Sequence, residues 1–169
     1  MKFVIATHNQ GKIVEFRRML EPMGIEVVMA ELSEPEETGK TFGENAYIKA
    51  ESACRETGLP AVADDSGLCV DYLDGAPGIY SARFAEPGKR RLTVLEKLHG
   101  VPEEQRGAHF VSAVCCVFPN GDRIDAEGKC FGAGVERPHI VIERLIDIQH
   151  NVTVETAVCF ANVIVTSIF

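Results

Sequence analysis

The chain has 169 residues, 46% of them hydrophobic and 25% charged, ordinary globular usage that excludes both a disordered and a collagenous polypeptide. That length suits one compact α/β body, or two small lobes sharing a core, rather than two independent domains. Lys and Arg number 17 against 25 Asp and Glu, a net charge of -8, so the basic face needed to grip a nucleic-acid backbone is missing, and a phosphate ligand requires a local basic pocket or a metal ion.

Lys2 to Ala6 is a short apolar run rich in β-branched and aromatic residues, which predicts a strand ending at the polar string Thr7-His8-Asn9-Gln10-Gly11-Lys12. Ile13, Phe16, Met19, Leu20 and Met23 follow at helical spacing, with Gly24 as a stop. Strand, loop, helix is the opening of an α/β protein. Ile25 to Met29 predicts a second strand, and Ser33 to Lys40 an exposed acidic loop. Thr41-Phe42-Gly43-Glu44 is a capping box that starts a helix running from about Phe42 to Thr57, closed by Gly58 and Pro60. Ala61 to Ala63 predicts a short buried strand, with Asp64-Asp65-Ser66-Gly67 at its end or in a tight turn and Leu68 to Tyr72 as a returning partner. Gly75 to Gly78 reads as loop, and Leu92, Leu95 and Leu98 mark a further amphipathic helix ending at His99-Gly100. Phe110 to Phe118 and Ile124 to Glu127 flank Asn120-Gly121, a strong hairpin signal. Asn151 to Phe169 carries one charge, Glu155, and is rich in Val, Ile, Thr and Phe, which predicts strand or an aggregation-prone tail; Asn151, Thr153, Asn162 and Ser167 interrupt it too often for a membrane span.

Met1 to Ala6 is too short for the apolar centre of a secretory signal. The six cysteines, Cys54, Cys69, Cys115, Cys116, Cys130 and Cys159, contain no Cys-x-x-Cys pair. The expectation is a cytoplasmic protein with reduced, mostly buried thiols and neither zinc nor disulfides.

Two places suit chemistry. Thr7 to Lys12 lies between a strand and a helix, where amide groups and the helix dipole favour an anion: Thr7 and Asn9 offer donors, Gly11 a close approach and Lys12 a point charge. The Gly-x-x-x-x-Gly-Lys spacing of a P-loop is absent, and a polar connection with capping residues explains the string equally well. Glu36-Glu37 and Asp64-Asp65 are acidic pairs on separate segments. Converging carboxylates suit Mg²⁺, which takes oxygen ligands and bridges protein carboxylates to substrate phosphates, though each pair alone is also an ordinary solvated loop or turn. Glu44 is explained by capping and Lys49 by a solvated helix face, from which it can also reach toward a phosphate. No Gly-x-Ser-x-Gly elbow is present, and Ser66 has no assignable histidine partner.

Four ordered blocks carry a resemblance: Phe3 to Lys12; Glu36 to Ala46 with Lys49; Ala63-Asp64-Asp65-Ser66-Gly67-Leu68; and Gly75-Ala76-Pro77-Gly78-Ile79-Tyr80-Ser81-Ala82-Arg83. In these the chain resembles the inosine triphosphate pyrophosphatases, a Ham1-like family of non-canonical purine nucleotide pyrophosphatases, over about residues 1–128. The resemblance implies an α/β fold with a long mixed central sheet and flanking helices in two lobes, the Maf/Ham1 architecture, with the nucleotide between lobes and a homodimer as the usual assembly. It also implies Mg²⁺-dependent hydrolysis of ITP, dITP and XTP to monophosphate and pyrophosphate. Asp65 is then the general base and a metal ligand, with Glu36 or Glu37 also on the metal. Thr7, His8, Asn9, Gln10, Gly11 and Lys12 hold the triphosphate, Ser66 touches substrate, and Lys49 assists. The family's Phe-Gly-Tyr-Asp-Pro and Ser-His-Arg blocks have no counterpart after Cys130, where Phe131-Gly132-Ala133-Gly134 is a faint echo and residues 135–169 diverge. A weakly active or inactive nucleotide-binding remnant is therefore the second reading, and a purely structural α/β module the third.

Overall fold

The computed structural model describes residues 1–131, and Val135 to Phe169, expected to form strands or to remain poorly packed, lies outside them. Five strands form one sheet in the order β2-β1-β3-β4-β5. β1 (Lys2–Ile5) pairs in parallel with β2 (Glu26–Val28), Phe3 opposite Val27, and in parallel with β3 (Ala61–Val70), Ile5 opposite Val62. β4 (Ala108–Val117) and β5 (Arg123–Phe131) form the hairpin expected at Asn120-Gly121; Gly121 takes φ 92°, and Phe118 N donates to Asp122 O at 2.9 Å. The mixed sheet with helices is the expected fold class.

The described chain gathers into two compact units: one holds Met1–Asp65 and Ala113–Glu127, the other Ser66–Ser112 and residues 128–131. In the first unit the pleat of the strands sends alternate residues to two cores. Phe3, Ile5, Val62, Val114 and Cys116 face α1 (Gln10–Leu20), which buries Ile13 side by side with Phe16 and Leu20 at the spacing read from sequence. Val4, Ala61, Ala63, Cys115 and Val117 face α2 (Phe42–Thr57), whose inner surface is Ala46, Ala50, Ala53 and Cys54. Those small residues let the helix backbone lie close to the sheet. α1 ends in a 3₁₀ turn, Glu21–Met23, and Gly24 at φ 77° supplies the left-handed stop.

α2 begins where the capping box places it. Thr41 Oγ1 accepts from Glu44 N at 3.1 Å, and Glu44 Oε2 accepts from Thr41 N at 3.2 Å and from Lys40 N at 2.5 Å. In the second unit α3 (Arg90–Lys97) turns Val94 inward, with Leu98 just beyond its end, to meet Leu68, Val70, Val101, Ala108 and Phe110. Leu92, expected on that face, is 56% exposed, because the buried contacts recur at Val94 and Leu98, four residues apart.

One expectation is overturned with consequences for the chemistry. Asp64-Asp65-Ser66-Gly67 is neither a strand end nor a turn: β3 runs unbroken from Ala61 to Val70, so Leu68 to Val70 continues the strand instead of returning beside it. Turn-forming residue types lost to pairing, since β3 is a central strand and both its ends are buried apolar segments.

Cys54, Cys69, Cys115 and Cys116 are buried thiols and Cys130 is half-buried, all free. Burial pushes the Cys116 thiol up to about 12, so it packs as an unreactive small hydrophobe. Among the described residues no helix is long and apolar enough to cross a membrane. Replacing the cap, Thr41→Ala, is expected to cost about 1 kcal/mol of unfolding free energy in urea titration, with the slope of the transition unchanged.

Candidate active site

Because β3 is continuous, its two successive aspartates point to opposite faces of the sheet. Asp64 shares the face of Val62 and meets α1; Asp65 shares the face of Ala63 and meets α2. β1 has already ended opposite Val62, so both carboxylates lie past the end of the neighbouring strand.

On the α2 face, Lys49 Nζ donates to Glu37 Oε1 at 3.1 Å and to Asp65 Oδ1 at 3.4 Å, bridging the acidic loop and the strand. Its side chain is only 19% exposed. Lys49 is thus not the solvated lysine its position on a helix allowed; it sits on the same face as Ala46, Ala50 and Ala53. Asn45, one turn earlier and fully buried, donates from Nδ2 to Asp65 Oδ2 at 3.2 Å and accepts the Gly39 amide on Oδ1 at 2.9 Å. Burial pushes the Asp65 carboxyl above its usual range and the Glu37 charge adds to that, while Lys49 and the Asn45 amide pull the other way.

On the α1 face, Lys12 Nζ lies 2.6 Å from Asp64 Oδ2. Asp64 is 2% exposed, and among the described residues neither of its carboxylate oxygens finds a directed hydrogen bond, so the ammonium charge is what offsets its burial. The turn before α1 is closed on itself. Asn9 is the N-cap, its Oδ1 accepting from Gly11 N at 2.9 Å and Lys12 N at 3.5 Å, and Thr7 Oγ1 accepts from Asn9 N at 3.2 Å. The capping reading of Thr7 to Lys12 is therefore realised, and an anion at Gly11 and Lys12 has to displace the Asn9 amide oxygen. Gln10 opens the helix as an exposed residue, and His8, 60% exposed, faces Glu34 with Nε2 to Oε1 at 3.4 Å.

The structure brings Glu37, Lys49 and Asp65 together and pairs Lys12 with Asp64. It leaves Glu36 exposed beside Glu37, and Ser66 follows Asp65 on the strand, half-buried. Sequence reasoning missed the Asp64 partner and the part played by Asn45. A signal for Asn45 existed: an amide among alanines on the buried face of α2, one turn from Lys49.

Among the described residues no group of three or more His, Cys, Asp or Glu is arranged to hold a metal ion unaided. The donor set nevertheless fits a hard cation. Glu37 and Asp65 offer carboxylate oxygens that already converge on a positive charge, the Lys49 ammonium. Mg²⁺ characteristically takes one or two protein carboxylates and completes its shell with water and substrate phosphate.

The chain matches the Ham1 family over residues 3–140. It is 49% identical over 147 residues to a dITP/XTP pyrophosphatase of Rhodopseudomonas palustris, a match covering 81% of this chain and 70% of that protein. Among solved structures it is similar to a nucleoside-triphosphatase, dITP/XTP pyrophosphatase, of Mycobacterium abscessus, with TM-score 0.68, 40% identity and coverage of 78% and 72% of the two chains. A HAM1 protein of Coxiella burnetii superposes with TM-score 0.79 at 27% identity, covering 98% of this chain and 99% of the other.

Two measurements check the electrostatics. Removing the ammonium, Lys12→Met, leaves Asp64 buried and uncompensated and is expected to cost on the order of 3 kcal/mol in urea unfolding, with Lys12→Met/Asp64→Asn recovering most of it. In metal-free protein, carboxyl NMR is expected to show Asp65 titrating above 3.8, its ordinary value, and higher still in Lys49→Met. An acid raised in the folded state binds its proton more tightly there, so this group's contribution to stability falls as pH climbs from the unfolded value through the folded one.

Proposed function

The chain belongs to the Ham1 family, and from that premise we propose that it hydrolyses non-canonical purine nucleoside triphosphates, dITP and XTP with ITP, to the monophosphate and pyrophosphate. The observation that carries the reading is the convergence of Glu37 and Asp65, two carboxylates on separate segments, upon one cation position now taken by the Lys49 ammonium. The substrates are those named for the relatives.

The reaction requires water to attack the α-phosphorus in line with the departing pyrophosphate, breaking the bond from that phosphorus to the α,β-bridging oxygen. Asp65 accepts the proton of the attacking water. Lys49, donating to one of its oxygens, keeps its carboxylate aimed. Lys12, held by Asp64 at the start of α1, places positive charge where the triphosphate oxygens develop charge. The remaining residues of the turn, Thr7, His8, Asn9, Gln10 and Gly11, line the path of the triphosphate, and the Asn9 side chain rotates to offer its amide donor once an anion takes over its capping role. Ser66 contacts substrate. We assign Mg²⁺ to Glu37 and Asp65, with Glu36 set aside on its exposure; bound there, the ion would neutralise phosphate charge.

The family resemblance further supports a homodimer, and the free thiols support a reducing, cytoplasmic setting. A binding-only remnant is not favoured, since the family match over residues 3–140 contains every residue assigned here.

The test is pyrophosphate release from dITP and XTP, with dATP and dGTP as controls, at saturating Mg²⁺. Turnover of the first pair is expected to exceed that of the second, to vanish on chelation and return with Mg²⁺, and to fall about 10²–10⁴-fold in Asp65→Asn. Activity is expected to be lost at acid pH as Asp65 takes up a proton, because the protonated acid cannot accept the water proton. Equal rates for native and Asp65→Asn protein would remove Asp65 from the mechanism.

A further inference from the structure

Asn45 is the residue that the proposed chemistry does not yet use. It is fully buried on a helix face that also carries Ala46, Ala50, Ala53 and Cys54, where an amide is costly unless both ends are satisfied. Both ends are. A backbone N–H can only be met by the amide oxygen and an ionised carboxylate only by the amide nitrogen, so the neighbours dictate the orientation of the group: Oδ1 accepts from Gly39 and Nδ2 donates to Asp65. Gly39 is required for this contact, since a Cβ there would stand 2.6 Å from Asn45 Oδ1 and 2.7 Å from Glu44 Cβ. Glu37 lies two residues before Gly39, and Lys49, one helical turn after Asn45, closes the circuit by holding both Glu37 and Asp65.

We propose that Asn45 is a positioning residue: its amide ties the backbone of the acidic loop at Gly39 to the Asp65 carboxylate and so sets where Glu37 and Asp65 stand relative to each other. This rests on Asp65 and Glu37 being the working carboxylates. An apolar side chain would serve the packing of α2 as well or better; what the amide adds is the link between loop and strand. A loop able to drift would leave Glu37 free to leave the cation position, and an error of an ångström in a reacting group is enough to cost about 10²-fold in rate.

Asn45→Asp and Asn45→Ala separate the two ends of the amide. The aspartate still accepts from Gly39 N–H but loses the donor to Asp65; the alanine loses both. With dITP and Mg²⁺, each is expected to lower kcat about 10–100-fold while KM moves less than about threefold, the pattern of a misaimed group rather than of lost substrate contact. Hydrogen exchange at the Gly39 amide is expected to remain slow in Asn45→Asp and to accelerate about tenfold or more in Asn45→Ala. Binding of Mn²⁺, used as a paramagnetic probe without nucleotide, is expected to weaken about 10-fold in Asn45→Ala.

Native kcat in Asn45→Ala, with its circular dichroism spectrum unchanged, would overturn the proposal, as would Gly39 exchange and Mn²⁺ affinity unaltered by the same substitution. Should native protein itself fail to turn over any purine triphosphate, the function proposed above falls, while exchange and Mn²⁺ binding still decide whether Asn45 positions the carboxylates.

Discussion

A carboxylate taken out of water costs several kcal/mol unless a cation or donors replace its hydration, and β3 carries two such groups in succession. The pleat of an unbroken strand separates them. Asp64 is sent to the α1 side and answered by Lys12; Asp65 is sent to the α2 side and answered by Lys49 and Asn45. Each helix therefore has to present its lysine over a particular strand position, and the order β2-β1-β3, with α1 crossing from β1 to β2, is what lays α1 on its own face of β3. Had the chain turned at Asp64-Asp65, both acids would be free to stay hydrated and neither lysine would be drawn inward.

The start of α2 ties ordinary helix chemistry to this electrostatic frame. Lys40, Thr41 and Gly39 give their amides to Glu44 and Asn45, so the last residues of the acidic loop are fastened to the first turn of the helix. Capping residues usually stabilise only their helix. Here the fastening also decides that Glu37, and not Glu36, faces Lys49. At the other end of α2, Glu56 accepts from the Ser33 amide and hydroxyl and from Ser52 Oγ at 3.0 Å, so the same loop is held at its beginning too. Those donors keep the Glu56 carboxyl below its usual range.

Asp65 combines opposing demands. Burial and Glu37 raise it, Lys49 and Asn45 lower it, and the outcome is a group above the ordinary carboxylate range yet still supplied with donors for its charged form. A surface aspartate would be a weaker base, and a buried one without donors would remain protonated at neutral pH. Lys12 and Asp64 resolve the same conflict differently: the pair is nearly neutral as a whole, so neither leaves an uncompensated charge inside the fold.

Elements whose signal is local were legible in the sequence. The boundaries of α2 follow from Thr41, Glu44 and Gly58 because capping acts over a few residues; β1, α1 and the Asn120-Gly121 hairpin follow from periodicity and turn chemistry for the same reason. Lys12, Glu37, Lys49 and Asp65, which the structure joins in ion pairs, were also legible as candidates, since each lies in one of the four ordered blocks. Two things were decided only by the tertiary structure: that Asp64 and Asp65 lie within a strand, and which partner each receives. A strand's continuity depends on neighbours supplied by distant segments, and the partner of a side chain depends on which face that continuity turns it toward. Asp-Asp-Ser-Gly carries turn propensity worth at most a kcal/mol or so, whereas central-strand pairing and burial on both faces outweigh it, and no window of sequence short enough to read contains those terms.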